Sequence, residues 1–216
     1  MSSREYAELR PIQKGVRAAM SVQRTVRTAY DKRYYLPKVA ERLAEQNPNT
    51  ILDIGSGKGH FGDALKTAMP NINVVSTDMV AGYHEGKNPF IVASGYKLPF
   101  VDNAFDVSTI FYTLHHLDDP IAALKEAQRV SKKIIVQEDT HRTTWQKRLI
   151  EAHVRGYQKD ASFNGATINT DKEWQKLFSD AGLKVKEKRR IRKAGYPVPR
   201  YEYHLEPKQV FPEKAT

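Results

Sequence analysis

Short apolar runs and segments of helical spacing alternate along the middle of the chain. The runs are rich in Ile and Val, as expected of strands buried in a parallel sheet. The predicted strands are 51–54, 72–77, 90–93, 104–112 and 134–136. The predicted helices between them include 59–69 and 120–131. Repeated β–α units with short connections predict a parallel sheet that is covered by helices on both faces.

The last third of the chain adds a helix and two further strands. Thr170-Asp171-Lys172-Glu173 has the pattern of a capping box for a helix over 171–181, and Gly182 is placed to end it. Strands predicted at 183–191 and 200–205 are joined by a turn and form an antiparallel pair at one edge. The expected fold class is therefore α/β, with a seven-stranded, mainly parallel sheet.

The ends of the alternating region suggest two further parts. Residues 1–46 carry apolar side chains at helical spacing and are predicted to form an N-terminal helical cap on the main domain, 47–216. The interval 140–168 holds a predicted helix, 143–156, and a polar loop. An insertion near the carboxyl ends of parallel strands is placed to form a lid over a ligand crevice.

Composition narrows the class of protein. The 216 residues include no cysteine, which excludes disulfides, thiolate metal sites and cysteine nucleophiles. With no apolar run near the roughly 20 residues of a membrane span, we expect a cytoplasmic protein. The formal net charge is +10, and the run 184–193 is strongly basic. Such runs attract phosphate-bearing partners or form solvated faces, and both interpretations stay open.

A glycine loop follows the first predicted strand, in Asp53-Ile54-Gly55-Ser56-Gly57-Lys58-Gly59. A phosphate-binding P-loop is excluded, because Gly59 stands where Ser or Thr must follow the lysine. A dinucleotide fingerprint is present as Gly57-Lys58-Gly59-His60-Phe61-Gly62, but it begins two residues after the strand. The third interpretation combines the acid Asp53 with the three glycines.

In this third form the loop resembles the first motif of the class I S-adenosylmethionine-dependent methyltransferases. The resemblance continues through Asp78 at the end of the second strand, Leu98-Pro99-Phe100, and Leu114-His115-His116-Leu117, which is similar to the small-molecule, type 11-like branch. It covers about residues 49–138. It implies a Rossmann-like sheet and S-adenosyl-L-methionine as the cofactor.

The resemblance also implies which residues contact the cofactor. Asp78 corresponds to the acid whose oxygens accept hydrogen bonds from the ribose hydroxyls. Met79 corresponds to a residue that packs on the adenine. The full expected set is Asp53, Gly55, Ser56, Gly57, Gly59, Asp78, Met79, Ser94, Gly95, Phe111 and Tyr112. At Ser94 the chain departs from the family pattern, which has an acid there. A neutral hydroxyl should hold the adenine less firmly than a carboxylate.

The expected reaction is attack by an O, N or C nucleophile of a small molecule on the activated methyl group. Candidates for a general base are His116, Glu138 and His141. No metal site is expected, because adjacent histidines diverge in direction and no further ligand has metal-site spacing. Two alternatives remain: a nucleic-acid methyltransferase that uses the basic surface, and a non-catalytic cofactor-binding accessory protein. No pattern in the chain predicts its oligomeric state.

Overall fold

One mixed sheet organises the chain. The computed structural model describes residue 33 and residues 35–157, 167–191 and 197–208. Within these ranges the strands are β1 Thr50–Ile54, β2 Asn73–Asp78, β3 Phe90–Val92, β4 Phe105–Phe111, β5 Ser131–Asp139, β6 Leu183–Ile191 and β7 Arg200–Pro207. Their order is β3-β2-β1-β4-β5-β7-β6. The pairs among β1 to β5 are parallel, and β7 is antiparallel to both β5 and β6.

In the described ranges, five α-helices connect or flank these strands. They are α1 Leu36–Ala44, α2 His60–Ala68, α3 Pro120–Val130, α4 Thr144–Tyr157 and α5 Asp171–Asp180. Short 3-10 helices lie at Ala81–Tyr83 and Leu114–His116. Side chains cap two of the helices. Asp119 Oδ1 accepts the Ala122 N–H at 2.9 Å, and Thr170 and Glu173 form both hydrogen bonds of a capping box at the start of α5.

The core lies in two layers, one on each face of the sheet. Successive strand residues point to opposite faces, so Ile51 packs in one cluster and Leu52 in the other. The Ile51 cluster includes residues of α1 and α2. The Leu52 cluster includes residues of α3 and α5, with Trp174 fully buried. Both faces of the central strands are therefore covered, as their continuous apolar sequences predict.

The predicted α/β class, with an antiparallel strand pair at one edge, is confirmed. Most elements lie within two residues of their predicted bounds. The exception is β5, which runs from Ser131 to Asp139 instead of 134–136. Its polar carboxyl end is extended because it pairs with β7, where Gln137 faces Glu202 and Asp139 faces Arg200.

Parts of the predicted cap and lid lie outside the described residues. These are 1–32 and 34 of the N-terminal cap, and 158–166 of the insertion. The insertion's predicted helix is present as α4. Its role as a lid stays a prediction. No helix among the residues that the structure describes is long and apolar enough to cross a bilayer.

Candidate functional site

The glycine loop joins β1 to α2 in a tight turn. Gly55, Gly57 and Gly59 all have positive φ angles, of 70°, 51° and 75°. The N–H groups of Gly55 and Ser56 both donate to the carbonyl oxygen of Thr77, at 2.8 and 3.0 Å. The loop is thereby fixed against the end of β2, in a conformation that glycine adopts without strain.

The three glycines have different surroundings. A β-carbon on Gly55 would lie 2.3 Å from the Thr113 side chain, and one on Gly59 would lie 2.4 Å from the ring of His84. At Gly57 no atom lies within 4 Å of that position. Backbone that a ligand could approach directly is therefore found at Gly57. At Gly55 and Gly59 the missing side chain makes room for the protein itself.

Asp78, the last residue of β2, faces this loop. Its Oδ2 accepts the N–H of Gly57 at 2.9 Å, and its Oδ1 accepts the N–H of Val80 at 3.0 Å. Each carboxylate oxygen has a further lone pair after these bonds. The group is thus oriented by backbone and still able to accept two hydrogen bonds from a diol.

Asp53 lies beneath the loop and is 3% exposed. Its Oδ1 accepts the Thr109 hydroxyl at 2.9 Å, whereas Oδ2 has no hydrogen-bond partner among the described residues. Burial raises the pKa of Asp53 to about 7; the Thr109 bond opposes this and the charge of Asp78 adds to it. The Ser56 hydroxyl is also buried without a described partner. Unpaired buried acceptors of this kind suit a ligand that brings its own N–H donors.

The Ser94–Gly95 turn follows β3. The Ser94 hydroxyl accepts the N–H of Tyr96 at 3.3 Å, and a β-carbon on Gly95 would lie 3.8 Å from Ile54. The turn is therefore close to the carboxyl end of β1. Met79 is 56% exposed and lies directly after Asp78. These predicted contact residues all lie around the carboxyl ends of β1 and β2.

Phe111 and Tyr112 end β4 and have protein partners. The ring of Phe111 packs on Phe61, with centroids 4.6 Å apart. Tyr112 has a φ of 54°, and its hydroxyl lies 3.4 Å from that of Tyr35. Burial raises the pKa of Tyr112 to about 12, although the charge of Arg200 lowers it. Their contact with a cofactor stays a prediction.

The structure gives a carboxylate partner to His115, one of the two adjacent histidines of Leu114-His115-His116-Leu117. The Nδ1 atom of His115 lies 2.7 Å from Oε2 of Glu138, a predicted base candidate. The ring of His116 lies 4.0 Å from that of His115, and His141 is partly exposed. The order of two adjacent histidines carries no signal for which one meets Glu138.

Arg200 and Trp174 make two contacts with the end of β5 that the sequence did not predict. Arg200 Nε donates to Asp139 Oδ1 at 2.5 Å, and both side chains are buried. The indole N–H of Trp174 donates to the Asp139 carbonyl oxygen at 3.3 Å. These contacts join residues that lie far apart in sequence, so only the pairing of β5 with β7 and the packing of α5 bring them together.

The region that carries these residues matches a known family. Residues 52–134, from β1 into β5, match the model described as a methyltransferase domain. These residues therefore carry a methyltransferase domain. The resemblance that the sequence motifs indicated is therefore confirmed.

Individual relatives agree with this assignment. A demethylmenaquinone methyltransferase of Thermotoga maritima is 29% identical over 102 residues, which cover 44% of each chain. An uncharacterized methyltransferase of Schizosaccharomyces pombe is 54% identical over 99 residues, covering 38% of this chain and 36% of the relative. The chain thus spans less than half the length of these curated relatives.

The same fold is found in solved structures of methyltransferases. One is the magnesium protoporphyrin IX methyltransferase of Synechocystis PCC 6803 with bound S-adenosylhomocysteine. It superposes with a TM-score of 0.60 at 14% sequence identity, and the match covers 87% of each chain. At this identity the likeness concerns the fold alone.

Proposed function

We propose that the protein is an S-adenosylmethionine-dependent methyltransferase that acts on a small molecule. The observation that carries this proposal is the pairing of Asp78 with the N–H of Gly57, beside the open face of that glycine. It places an oriented carboxylate next to bare backbone at the carboxyl end of a parallel sheet, where ligands bind in folds of this kind. The match of residues 52–134 to the methyltransferase model supports S-adenosylmethionine as the methyl donor.

The residues present fit the methyl donor. Asp78 would accept the two ribose hydroxyls. The unpaired Oδ2 of Asp53 and the Ser56 hydroxyl would receive donors of the amino-acid end. Ser94 and Gly95 would border the adenine, with a neutral acceptor in place of the family's acid. When bound, the cofactor supplies a methyl group on a sulfonium, which is electrophilic enough to react without a protein nucleophile.

The protein's own contribution is orientation and exclusion of water. A nucleophile held in line with the methyl group reacts far faster than one in free solution. The ends of β4 and β5 border the proposed donor site, and the predicted candidates His116, Glu138 and His141 follow these strands. The acceptor is proposed to bind here, with α4 closing the site.

A small-molecule acceptor is supported by the Thermotoga maritima relative. Demethylmenaquinone, the compound in its name, is a small molecule. The basic strand β6 gives less support to a nucleic-acid substrate. Lys186, Lys188 and Arg189 pair with Glu206, Asp171 and Glu187 respectively, which reduces the positive charge available to phosphates. The cytoplasmic location stays a prediction.

Calorimetry with S-adenosylmethionine and S-adenosylhomocysteine tests the proposal. Asp78→Ala should weaken binding by more than about 1 kcal/mol, because two charge-assisted hydrogen bonds are lost. Asp180→Ala, which removes an exposed acid at the end of α5, is the matched control and should leave affinity unchanged. Equal affinity of wild type and Asp78→Ala would reject the ribose assignment. Binding without any methylated product would favour the accessory-protein alternative.

A further inference from the structure

Helix α4 presents large apolar side chains on its outward side. Trp145 and Leu149 are 54% and 39% exposed, and Arg148 and Ala152 are exposed as well. Residues three, four and seven positions apart share one face of an α-helix, so these four side chains form a single stripe, the α4 outer face. Single exposed apolar residues are ordinary, whereas a contiguous patch of them is a feature of docking surfaces.

The opposite side of α4 fixes the direction in which this face points. Ile150 is 1% exposed and packs with Ile168 and Val198. The side-chain amide of Gln146 donates to the carbonyl oxygen of Pro197 at 3.0 Å. Because Ile150 and Gln146 are held against the protein in this way, the α4 outer face points away from it.

Two arginines lie on either side of the exposed indole. Arg142 and Arg148 are three residues before and three residues after Trp145, and both are exposed. The guanidinium of Arg142 donates to the hydroxyl of Tyr201, a neutral group, at 3.0 Å. Neither arginine has an acidic partner among the residues that the structure describes. The positive charge beside Trp145 is therefore available to an anionic partner.

This combination of charge and apolar surface limits the partners that the face can take. In a two-fold dimer the same patch faces itself, so the arginines of two copies would repel each other. Residues 1–32 of this chain hold seven Lys or Arg against three acids, so they offer little opposite charge. An anionic lipid surface offers negative headgroups to the arginines and an apolar boundary to Trp145 and Leu149.

We propose that the α4 outer face docks on the surface of a membrane that contains anionic lipid. Trp145 and Leu149 enter the boundary between headgroups and acyl chains, where tryptophan is enriched in membrane-bound proteins. Arg142 and Arg148 contact lipid phosphates, since a long arginine side chain keeps its charge at headgroup level while its stem lies on apolar surface. A helix bound in this way lies in the interface and spans nothing.

Docking through α4 also brings the candidate site close to the bilayer. Helix α4 follows β5 in the chain, and its buried residue Ile150 packs on Ile168. The neighbouring Thr167 donates its N–H to the carbonyl oxygen of His115 at 2.9 Å, in the turn after β4. The docked helix therefore adjoins the carboxyl ends of β4 and β5, where the acceptor is proposed to bind.

Co-sedimentation of the full chain with vesicles tests the proposal. Vesicles of phosphatidylcholine with about 30% phosphatidylserine carry the negative surface potential that attracts basic segments. Wild type should bind these vesicles, and added salt should weaken the binding because it screens the arginines. Vesicles of phosphatidylcholine alone should bind it less. No co-sedimentation with the anionic vesicles at low salt, as expected if the face takes an acidic protein instead, would overturn the proposal.

Variants distinguish the α4 outer face from the general basic charge of the chain. Trp145→Ala should weaken vesicle binding about tenfold, because the transfer of a half-exposed indole into the interface is lost. Arg148→Gln should weaken it about fivefold, the effect of one cation near an anionic surface. Lys147→Gln removes the same charge from the far side of α4 and is the matched control, with a much smaller loss. Equal losses for Arg148→Gln and Lys147→Gln, or none for Trp145→Ala, would overturn the proposal.

The emission of Trp145 gives a second test. On binding to anionic vesicles it should shift to shorter wavelength and become protected from a soluble quencher, over the constant signal of the buried Trp174. Protection of Trp145 in the full chain without vesicles would show that another part of the chain covers the face. A dimer in sedimentation equilibrium that Trp145→Ala dissociates would show that a second copy covers it. Either result would overturn the proposal.

These measurements use neither cofactor nor acceptor, so the inference goes beyond the proposed function and does not depend on it. Protein that binds vesicles through Trp145 but fails to bind S-adenosylmethionine would keep this inference and reject the proposed function. Protein that binds S-adenosylmethionine but no anionic vesicle would overturn this inference and leave the proposed function standing.

Discussion

The guanidinium of Arg200 lies over the ring of Tyr112, 4.9 Å from the ring centroid, while its Nε donates to Asp139. One buried cation thus contacts the residues that follow β4 and end β5. Tyr112 needs such support because its φ of 54° is uncommon for a bulky residue. The carboxyl ends of the two strands are therefore tied together by the first residue of β7.

Arg200→Met should destabilise the protein strongly, because it removes the buried guanidinium that pairs with the carboxylate of Asp139. Breaking a buried ion pair from one side costs about 3–5 kcal/mol. In urea unfolding, the double variant Arg200→Met/Asp139→Asn should lose less stability than the two single losses combined, by about 0.5–3 kcal/mol. Strictly additive losses would show that the pair is not coupled.

Asp53 should make the protein less stable as pH rises. Its pKa is raised from 3.8 to about 7, so the folded state binds more protons than the unfolded state between these values. The free energy of unfolding then falls across this range, by at most about 4 kcal/mol. Asp53→Asn cannot ionise, and its unfolding free energy at pH 8 should exceed that of wild type. Identical pH profiles for the two proteins would contradict this.

Gly57→Ala should separate ligand binding from folding. Gly57 and Gly182 both have positive φ angles, of 51° and 81°, and a β-carbon on either would have no neighbour within 4 Å. Each alanine variant should therefore lose about 1–2 kcal/mol of stability through backbone strain alone. Because Gly57 faces the proposed donor site, only its variant should also bind S-adenosylmethionine more weakly in calorimetry. Equal affinities would place the ligand away from Gly57.

The N-terminal cap of α5 should contribute more to the stability of the protein than an ion pair on the surface of the helix. Thr170→Ala removes the side-chain acceptor of the capping box and should cost about 1 kcal/mol. Lys176→Ala breaks an exposed pair with Asp180 four residues later, which is worth about 0.5 kcal/mol or less. Urea midpoints of the two variants give this order directly. A larger loss of stability for Lys176→Ala than for Thr170→Ala would contradict this prediction.

Much of the fold is predictable because its signals are local. The apolar runs of the central strands, the capping box at Thr170 and the proline after Asp119 each act within a few residues, and each element forms where the sequence places it. The end of β5 differs. Gln137 and Asp139 are polar, and only their pairing with Glu202 and Arg200 makes them strand residues.

The site was predictable in part for the same reason. Asp53, the glycines and Asp78 follow strands at fixed spacing, and they lie together around the same edge of the sheet. The partner of Glu138 depends on how a 3-10 helix orients two neighbouring histidines, which spacing does not encode. The contact of His84 with Gly59 also comes from tertiary packing, and the missing side chain of Gly59 makes room for the His84 ring.

The two tryptophans of the chain sit in opposite environments. Trp174 is fully buried with its indole bonded to the Asp139 carbonyl, next to Glu138, whereas Trp145 on α4 is 54% exposed. Their fluorescence is therefore separable: a soluble quencher reaches Trp145 and not Trp174. In Trp145→Phe the remaining tryptophan emission comes from Trp174, whose indole contacts the end of β5, which gives an optical signal for acceptor binding that needs no label and no turnover.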